Sequence, residues 1–207
     1  MHASYEKMVK DFGEKGRVTR DQVAFSVFRN AFTTALTADG VALVSDSHLT
    51  INGDTIDNKL TAVLSEPTLD DAITMLVEQK DQAGVVMGSM PETLLVPPKL
   101  FKLACEITES EKRSGTGDND MNVYSTKYQI NVATSPRLGA AAGGSDTAWF
   151  LLGRNHSISR WVRQDIKTDL VDYKFQRNNN YIYKANFREM TGALDYVGVV
   201  GSTGTTS

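Results

Sequence analysis

The sequence contains few of the residues that most often carry out chemistry in proteins. Only one of its 207 residues is a cysteine and only three are histidines. A single cysteine cannot form a disulfide within the chain, and the clustered Cys and His ligands that bind zinc are missing. Cys105 falls on or near the apolar face of a predicted helix, which favours a buried structural thiol over a nucleophile.

A strong charge of either sign is absent as well. The formal net charge is -3 at pH 7, which is not the electrostatic footprint of a nucleic-acid-binding protein. No apolar run approaches the ~20 residues of a membrane span, and Met1–Lys7 carries no secretory signal. The composition therefore predicts a soluble protein, made in the cytosol and without a membrane partner, with one large domain or two small ones.

Motifs that bind phosphates or metal ions are incomplete. The glycines at 139–144 are not followed by the Lys-Ser or Lys-Thr of a phosphate-binding loop, and Gly115 and Gly117 lack the rest of a dinucleotide fingerprint. Asp118-Asn119-Asp120 lacks the alternating acidic residues of a calcium loop. We therefore predict neither a cofactor nor a metal site.

Asp46-Ser47-His48 places an acid, a hydroxyl and an imidazole side by side. Residues this close in sequence rarely reach the geometry of a catalytic triad, and the chain has no G-x-S-x-G nucleophile elbow. The favoured interpretation is that His48 holds a polar loop in place by hydrogen bonding to backbone. A small hydrolase that uses His48 with Asp46 is the alternative. We predict no catalytic residue and no enzymatic activity.

Basic residues gather around Trp161, and two interpretations are open. They are Arg154, Arg160, Arg163 and Lys167. The favoured one is the solvated side of a strand whose charges pair with Asp165 and Asp169. The other is a contact with nucleic acid or with a carboxylate of a partner or another subunit.

Apolar spacing predicts helices near the start of the chain. Residues 5–12 carry a helical stripe that Gly13 and Gly16 interrupt. The capping-box pattern that begins at Thr19 predicts a second helix reaching about Leu36.

The middle of the chain alternates between short strands and helices. A strand is expected at 41–44, followed by a polar loop or irregular hairpin over 45–67. Thr68 is the predicted cap of a helix over 69–80. Residues 93–107 then predict a buried strand, a proline corner and an amphipathic helix. The apolar face of this helix contains Leu100, Leu103, Ala104 and Ile107.

After a charged loop over 108–122, strands dominate. Alternating apolar residues predict a strand over 128–132, and Trp149–Leu152 forms a compact apolar run. Two strands at 168–176 and 181–190 are joined by a turn at Asn178–Asn180, and 197–200 is a last short strand. Helices and antiparallel strands without a regular βαβ rhythm predict the α+β class.

Several segments follow one another in the order of a known family. They are Asp39–His48, which reads D-G-x-x-L-[FV]-S-x-x-H, Asp57-Asn58, Leu94–Pro98, Ala148–Leu151, the hairpin at 168–190 and Tyr196–Ser202. In this order they resemble the major capsid proteins of tailed bacteriophages, including the Mu-like major head subunits, which have the Hong Kong 97-type fold.

The resemblance implies two lobes and a structural role. Residues 1–58 and 155–192 would form a peripheral lobe with a spine helix and a long hairpin, and 59–154 with 193–207 an axial lobe with the central sheet. The chain would assemble with copies of itself into hexamers and pentamers of an icosahedral shell. Scaffold, portal or decoration proteins are further expected partners, and packaged DNA would be contacted only non-specifically.

The resemblance also implies where the protein is found, and the sequence departs from the family in one respect. The protein is expected in the virion, after synthesis in the host bacterial cytoplasm. An encapsulin-like bacterial compartment is the alternative within the fold. The N-terminal arm and extended loop of the family have no counterpart in this sequence, so we expect poor assembly or small rings only.

Overall fold

The computed structural model describes residues 2–110, 122–171 and 182–205. Its helices are α1 (His2–Ala24), α2 (Ser26–Arg29), α3 (Glu66–Glu78) and α4 (Phe101–Thr108). Its strands are β1 (His48–Leu49), β2 (Thr55–Ile56), β3 (Lys59–Leu60), β4 (Pro91–Val96), β5 (Asn131–Thr134), β6 (Trp149–Gly153), β7 (Ile158–Val171), β8 (Ile182–Ala193) and β9 (Val199–Ser202). This mixture of helices and sheets confirms the α+β class.

The chain divides into two compact units. The first contains residues 1–26 and 159–191, and the second contains 27–158 and 192–207. The first unit consists of α1 and the ribbon formed by β7 and β8. Within it Arg20 of α1 binds two carboxylates, Asp165 at 2.8 Å and Glu189 at 3.0 Å.

The second unit is built around a five-stranded sheet in the order β3-β9-β6-β4-β5. Strand β6 runs antiparallel to both of its neighbours, while the two outer pairs are parallel. Strands β1 and β2 form a separate small antiparallel hairpin. Consecutive strands are therefore not always neighbours, and the sheet is assembled from segments that lie far apart in the sequence.

The apolar run at β6 is the centre of this sheet, and all of its residues are buried. Trp149 and Leu151 belong to a core cluster with residues of α3, β4 and α4. Phe150, which alternates with them, has ring centroids 5.3 Å from Phe28 and 5.5 Å from Phe32. A strand that is apolar at successive positions is covered on both faces.

Helix α1 corrects the predicted start of the chain. It passes through Gly13 and Gly16 without a break and ends at Ala24, so the expected second helix to Leu36 is wrong. Thr19 does not cap a helix, because its hydroxyl donates to the Lys15 carbonyl one turn earlier, at 2.9 Å. Ser and Thr make this bond inside helices.

Other predicted boundaries shift by a few residues. The cap of α3 is Ser65, and Thr68 is its capping-box partner. Residues 41–44 form no strand beyond a single bridge at Ala42. β5 begins three residues later than expected, after a π-helical turn that ends in Gln129 with φ of 53°. β7 begins ten residues earlier, at Ile158.

The strand–proline–helix segment has the predicted order, with one difference on the face of the helix. Pro98 lies in the turn before α4, where the Leu100 amide donates to the Pro97 carbonyl at 3.0 Å. Ala104 is fully buried as expected, but Leu103 is 38% exposed and lies outside the core. Residues 111–121, with the acidic Asp118–Asp120 segment, lie outside the described residues, and so does the predicted turn at Asn178–Asn180.

Candidate functional site

The side chain of Asn58 joins three segments in the interior of the second unit. It is fully buried between β2 and β3. Its amide group donates to the carbonyls of Leu43 at 2.8 Å and Val199 at 3.0 Å, and its oxygen accepts from the Ser45 amide at 2.8 Å. Buried backbone groups outside regular ladders need such partners. Asn58 therefore replaces the sheet pairing that residues 43–45 lack.

Gln79 makes a second connection of the same kind at the end of α3. Its Nε2 donates to the carbonyls of Tyr196 at 3.3 Å and Val199 at 3.4 Å, and its Oε1 accepts from the Gly198 amide at 2.8 Å. Gly198 has φ of +80° and its backbone lies against His156, so a Cβ would not fit there. Gln79 thus fixes the turn that leads into β9.

Asp39, His48 and Tyr196 complete the network. His48 Nδ1 lies 2.6 Å from Asp39 Oδ2, and its ring stacks on Tyr196 with centroids 4.2 Å apart. The Tyr196 hydroxyl donates to the Lys80 carbonyl at 3.2 Å. We call the side chains of Asp39, His48, Asn58, Gln79 and Tyr196 the buried network.

Two acids of this network have shifted pKa values. Burial alone would raise the pKa of Asp39, but hydrogen bonds from Thr37 and His48 outweigh it and hold this pKa below its ordinary value. Burial raises the pKa of Tyr196 to about 12, with a smaller contribution from nearby carboxylates. Asp39 is therefore ionised and Tyr196 neutral at pH 7.

The structure separates the residues of the hydrolase alternative. His48 is fully buried, whereas Asp46 is exposed, and the partner of His48 is Asp39. The predicted bond from His48 to backbone is also replaced by this carboxylate. Ser47 shares a hydrogen bond with Ser45 at 2.7 Å. A histidine without solvent contact cannot meet a substrate from solution, so the geometry does not favour the hydrolase.

The basic residues around Trp161 are exposed, and one of the two acids expected to pair with them has another partner. Arg154, Arg160, Arg163 and Lys167 all lie at the surface. Asp165 pairs with Arg20 of α1, a contact that was not predicted. No group of three or more His, Cys, Asp or Glu side chains among the described residues could hold a metal ion. In the same part of the chain no helix has the length and apolar character of a membrane span.

Sequence reasoning found part of the network. Asp39, Asn58 and Tyr196 lie in segments that carry the family resemblance, although their contacts were not predicted. The role of Gln79 was not predicted. The sequence gives only a weak signal for it, which is a polar residue directly after an amphipathic helix. The network can hold backbone segments together, and its members bond to backbone groups and to one another.

Comparison with known proteins agrees with this structural role. The family model described as phage capsid protein matches residues 5–202. No match was found among curated proteins. A solved structure from Mycobacterium phage Ogopogo is similar, with a TM-score of 0.44 and 13% sequence identity, over 98% of this chain and 71% of that one. Since the family model covers almost the whole sequence, the chain belongs to the phage capsid protein family.

Proposed function

We propose that this capsid subunit assembles with its own copies into hexameric and pentameric rings that tile an icosahedral phage shell around DNA. Membership of the family makes the chain a structural protein of the virion that forms shell oligomers. The observation that supports the finer proposal is that segments carrying the family resemblance meet in the buried network. Asp39–His48 and Asn58 are far from Tyr196–Val199 in sequence, yet they contact it in a single fold.

The proposed arrangement within each ring follows the Hong Kong 97-type fold. Residues 1–58 and 155–192 would form the peripheral lobe, and 59–154 with 193–207 the axial lobe. Helix α1 and the long ribbon β7–β8 form one compact unit of residues 1–26 and 159–191, and this supports the assignment for those residues, since a spine helix and a long hairpin define the peripheral lobe. Residues 27–58 belong to the other compact unit. We propose synthesis in the host cytoplasm, non-specific contact with packaged DNA and contacts with scaffold, portal or decoration proteins.

Electron microscopy of the purified full chain tests the rings. We expect six-fold and five-fold particles or their fragments at high protein concentration, because repeated contacts between copies close into rings. A chain that stays monomeric at every concentration in solution would overturn the proposal. An encapsulin-like compartment would also give shells, and adjacent portal and terminase genes would identify the phage.

We also propose that the chain has no catalytic activity. His48→Ala is the test, because it removes the buried imidazole that pairs with the Asp39 carboxylate. We expect a lower melting temperature and no change in any hydrolytic activity of the preparation. Hydrolysis that disappears in this variant while its circular dichroism spectrum stays native would contradict the proposal, and His2→Ala is the control.

A further inference from the structure

Two tight turns of the second unit lie side by side and have the same construction. In one turn the Gly53 amide donates to the backbone carbonyl of Thr50. In the other the Gly84 amide donates to the backbone carbonyl of Asp81, and both distances are 3.0 Å. Both glycines have positive φ, near +88° and +82°. The Ile51 amide donates to the Gln82 carbonyl at 2.8 Å and joins the turns.

Side chains stiffen both turns. The Asp54 amide donates to the Thr50 hydroxyl at 2.9 Å, and the Val85 amide donates to the Asp81 carboxylate at 2.8 Å. Local bonds of this kind hold a loop in one conformation. The backbone of both turns is therefore already ordered, so little conformational entropy is lost when their side chains bind a partner.

Large apolar side chains cover these turns, although loops are usually polar. The twin-turn surface consists of Leu49 (56% exposed), Ile51 (82%), Val85 (60%), Val86 (55%) and Met87 (43%). Together these residues expose on the order of 500 Å², within the range of the largest patch on a monomer, which often marks an interaction site. Folding gains little from them, because they remain in water.

The same unit has a cavity of about 130 Å³ that opens at the surface. Three aromatic rings, Phe28, Phe32 and Phe150, line it on one side with Leu138 and Ala148, and Arg29, Gly143, Gly144 and Ser145 form its polar part. Its volume suits one branched aliphatic side chain. The cavity and the twin-turn surface are different parts of the chain, so a contact between them would be heterologous and would repeat from copy to copy.

We infer that the twin-turn surface binds the aromatic cavity of a second copy of this chain, with Ile51 as the inserted side chain. This inference rests on the proposed assembly, because a subunit that forms shell oligomers must present complementary surfaces to its copies. About 500 Å² on one partner is smaller than the ≈ 800 Å² of a standard interface. A single contact of this size is therefore weak, and the contacts hold the subunits together only when several of them close a ring.

Sedimentation velocity at graded concentration tests the inference with Ile51→Lys. Lysine is charged and would approach Arg29, so we expect association at least tenfold weaker than in the native chain. Leu194→Lys is the matched control, since Leu194 is 61% exposed and lies outside the surface. Its association should stay native.

Ala148→Leu tests the other side by filling the cavity from within. We expect it to weaken association as Ile51→Lys does, with a melting temperature near the native one. The double variant should associate no more weakly than either single variant, because both remove the same contact. If Ile51→Lys associates like the native chain, the inference is wrong while the proposed assembly stands. If the native chain never associates, both are wrong.

Discussion

At the scale of single residues, the interior of the second unit depends on amide side chains that do the work of backbone pairing. Asn58 satisfies the Leu43 carbonyl and the Ser45 amide, which belong to no strand, and the carbonyl of Val199 at the start of β9. An apolar side chain of similar size would fill the space but leave these groups without partners. Specific hydrogen bonding, more than volume, is what this position requires.

We expect Asn58→Ala to lower the free energy of unfolding by about 3 kcal/mol or more, since each buried polar group left unsatisfied costs about 1–3 kcal/mol. Urea denaturation followed by tryptophan fluorescence measures the change. Asn131→Ala, at an exposed position of β5, is the control and should stay within about 0.5 kcal/mol of native. A similar small change in Asn58→Ala would mean that water replaces the amide.

Acid should weaken the fold through Asp39. Its pKa in the folded protein is below the ordinary value of 3.8, so its charged form is stabilised by folding. That contribution is complete above pH 3.8 and is lost as the pH falls through the lower folded value. In Asp39→Asn this part of the acid-induced loss should be missing. The melting temperatures of the native chain and of Asp39→Asn are measured from pH 7 down to the lowest pH at which the protein is still folded. If both fall in parallel as the pH is lowered, the Asp39–His48 pair is excluded as a source of stability.

Trp149 is the largest fully buried side chain, and its indole donates to the Ala62 carbonyl at 3.2 Å. We expect Trp149→Ala to cost roughly 3–5 kcal/mol because it leaves a cavity in the core. The second tryptophan, Trp161, is 39% exposed, so Trp161→Ala is the matched control and should cost far less. A denaturant titration that gave both variants equal losses would contradict the central position of β6.

At the scale of elements, sequence patterns found what one segment determines by itself. The apolar run of β6 and the face of α3 with Leu69, Ile73, Leu76 and Val77 were predicted from their spacing; the first three are buried and Val77 is half-buried against the core. Ser65 was passed over for Thr68 because both fit a capping box. Contacts between distant segments, such as Asn58 with Val199, have no local signal, since only the tertiary fold brings these residues together.

The two glycines of α1 show how far local propensity can mislead. Both disfavour a helix by up to about 1 kcal/mol relative to alanine, and the sequence predicted a break there. At Gly13 an added methyl group would meet no atom within 4 Å, whereas at Gly16 it would meet the Cδ1 atom of Ile166. The close contact between α1 and β7 gives Gly16 a packing reason that Gly13 lacks.

We therefore expect Gly13→Ala to stabilise the protein by about 0.5–1 kcal/mol, since it reduces the entropy lost on folding without a clash. Gly16→Ala should gain less, because the end of the Ile166 side chain must rotate away. Circular dichroism during thermal unfolding measures both variants. If Gly16→Ala stabilised the protein more than Gly13→Ala does, the side chain of Ile166 could not lie against Gly16.

At the scale of the whole molecule, the distribution of charge and apolar surface suggests what drives association. A net charge of -3 distributed over 47 charged residues, 22 basic and 25 acidic, provides no strong field of either sign. The described part of the chain does expose aliphatic side chains on the rigid twin-turn surface. Copies should consequently be drawn together by apolar burial, with charge acting mainly on the rate of encounter.

Temperature and salt separate these two driving forces. Apolar burial weakens on cooling, so we expect association of the native chain to be weaker near 4 °C than near 25 °C at equal protein concentration. Salt screens charges and should change it little between low and moderate ionic strength. Light scattering across both series measures the effect. Association that instead falls steeply with salt would point to the exposed basic residues Arg160, Arg163 and Lys167 as the contact, because ion pairs between copies are the interactions that screening removes.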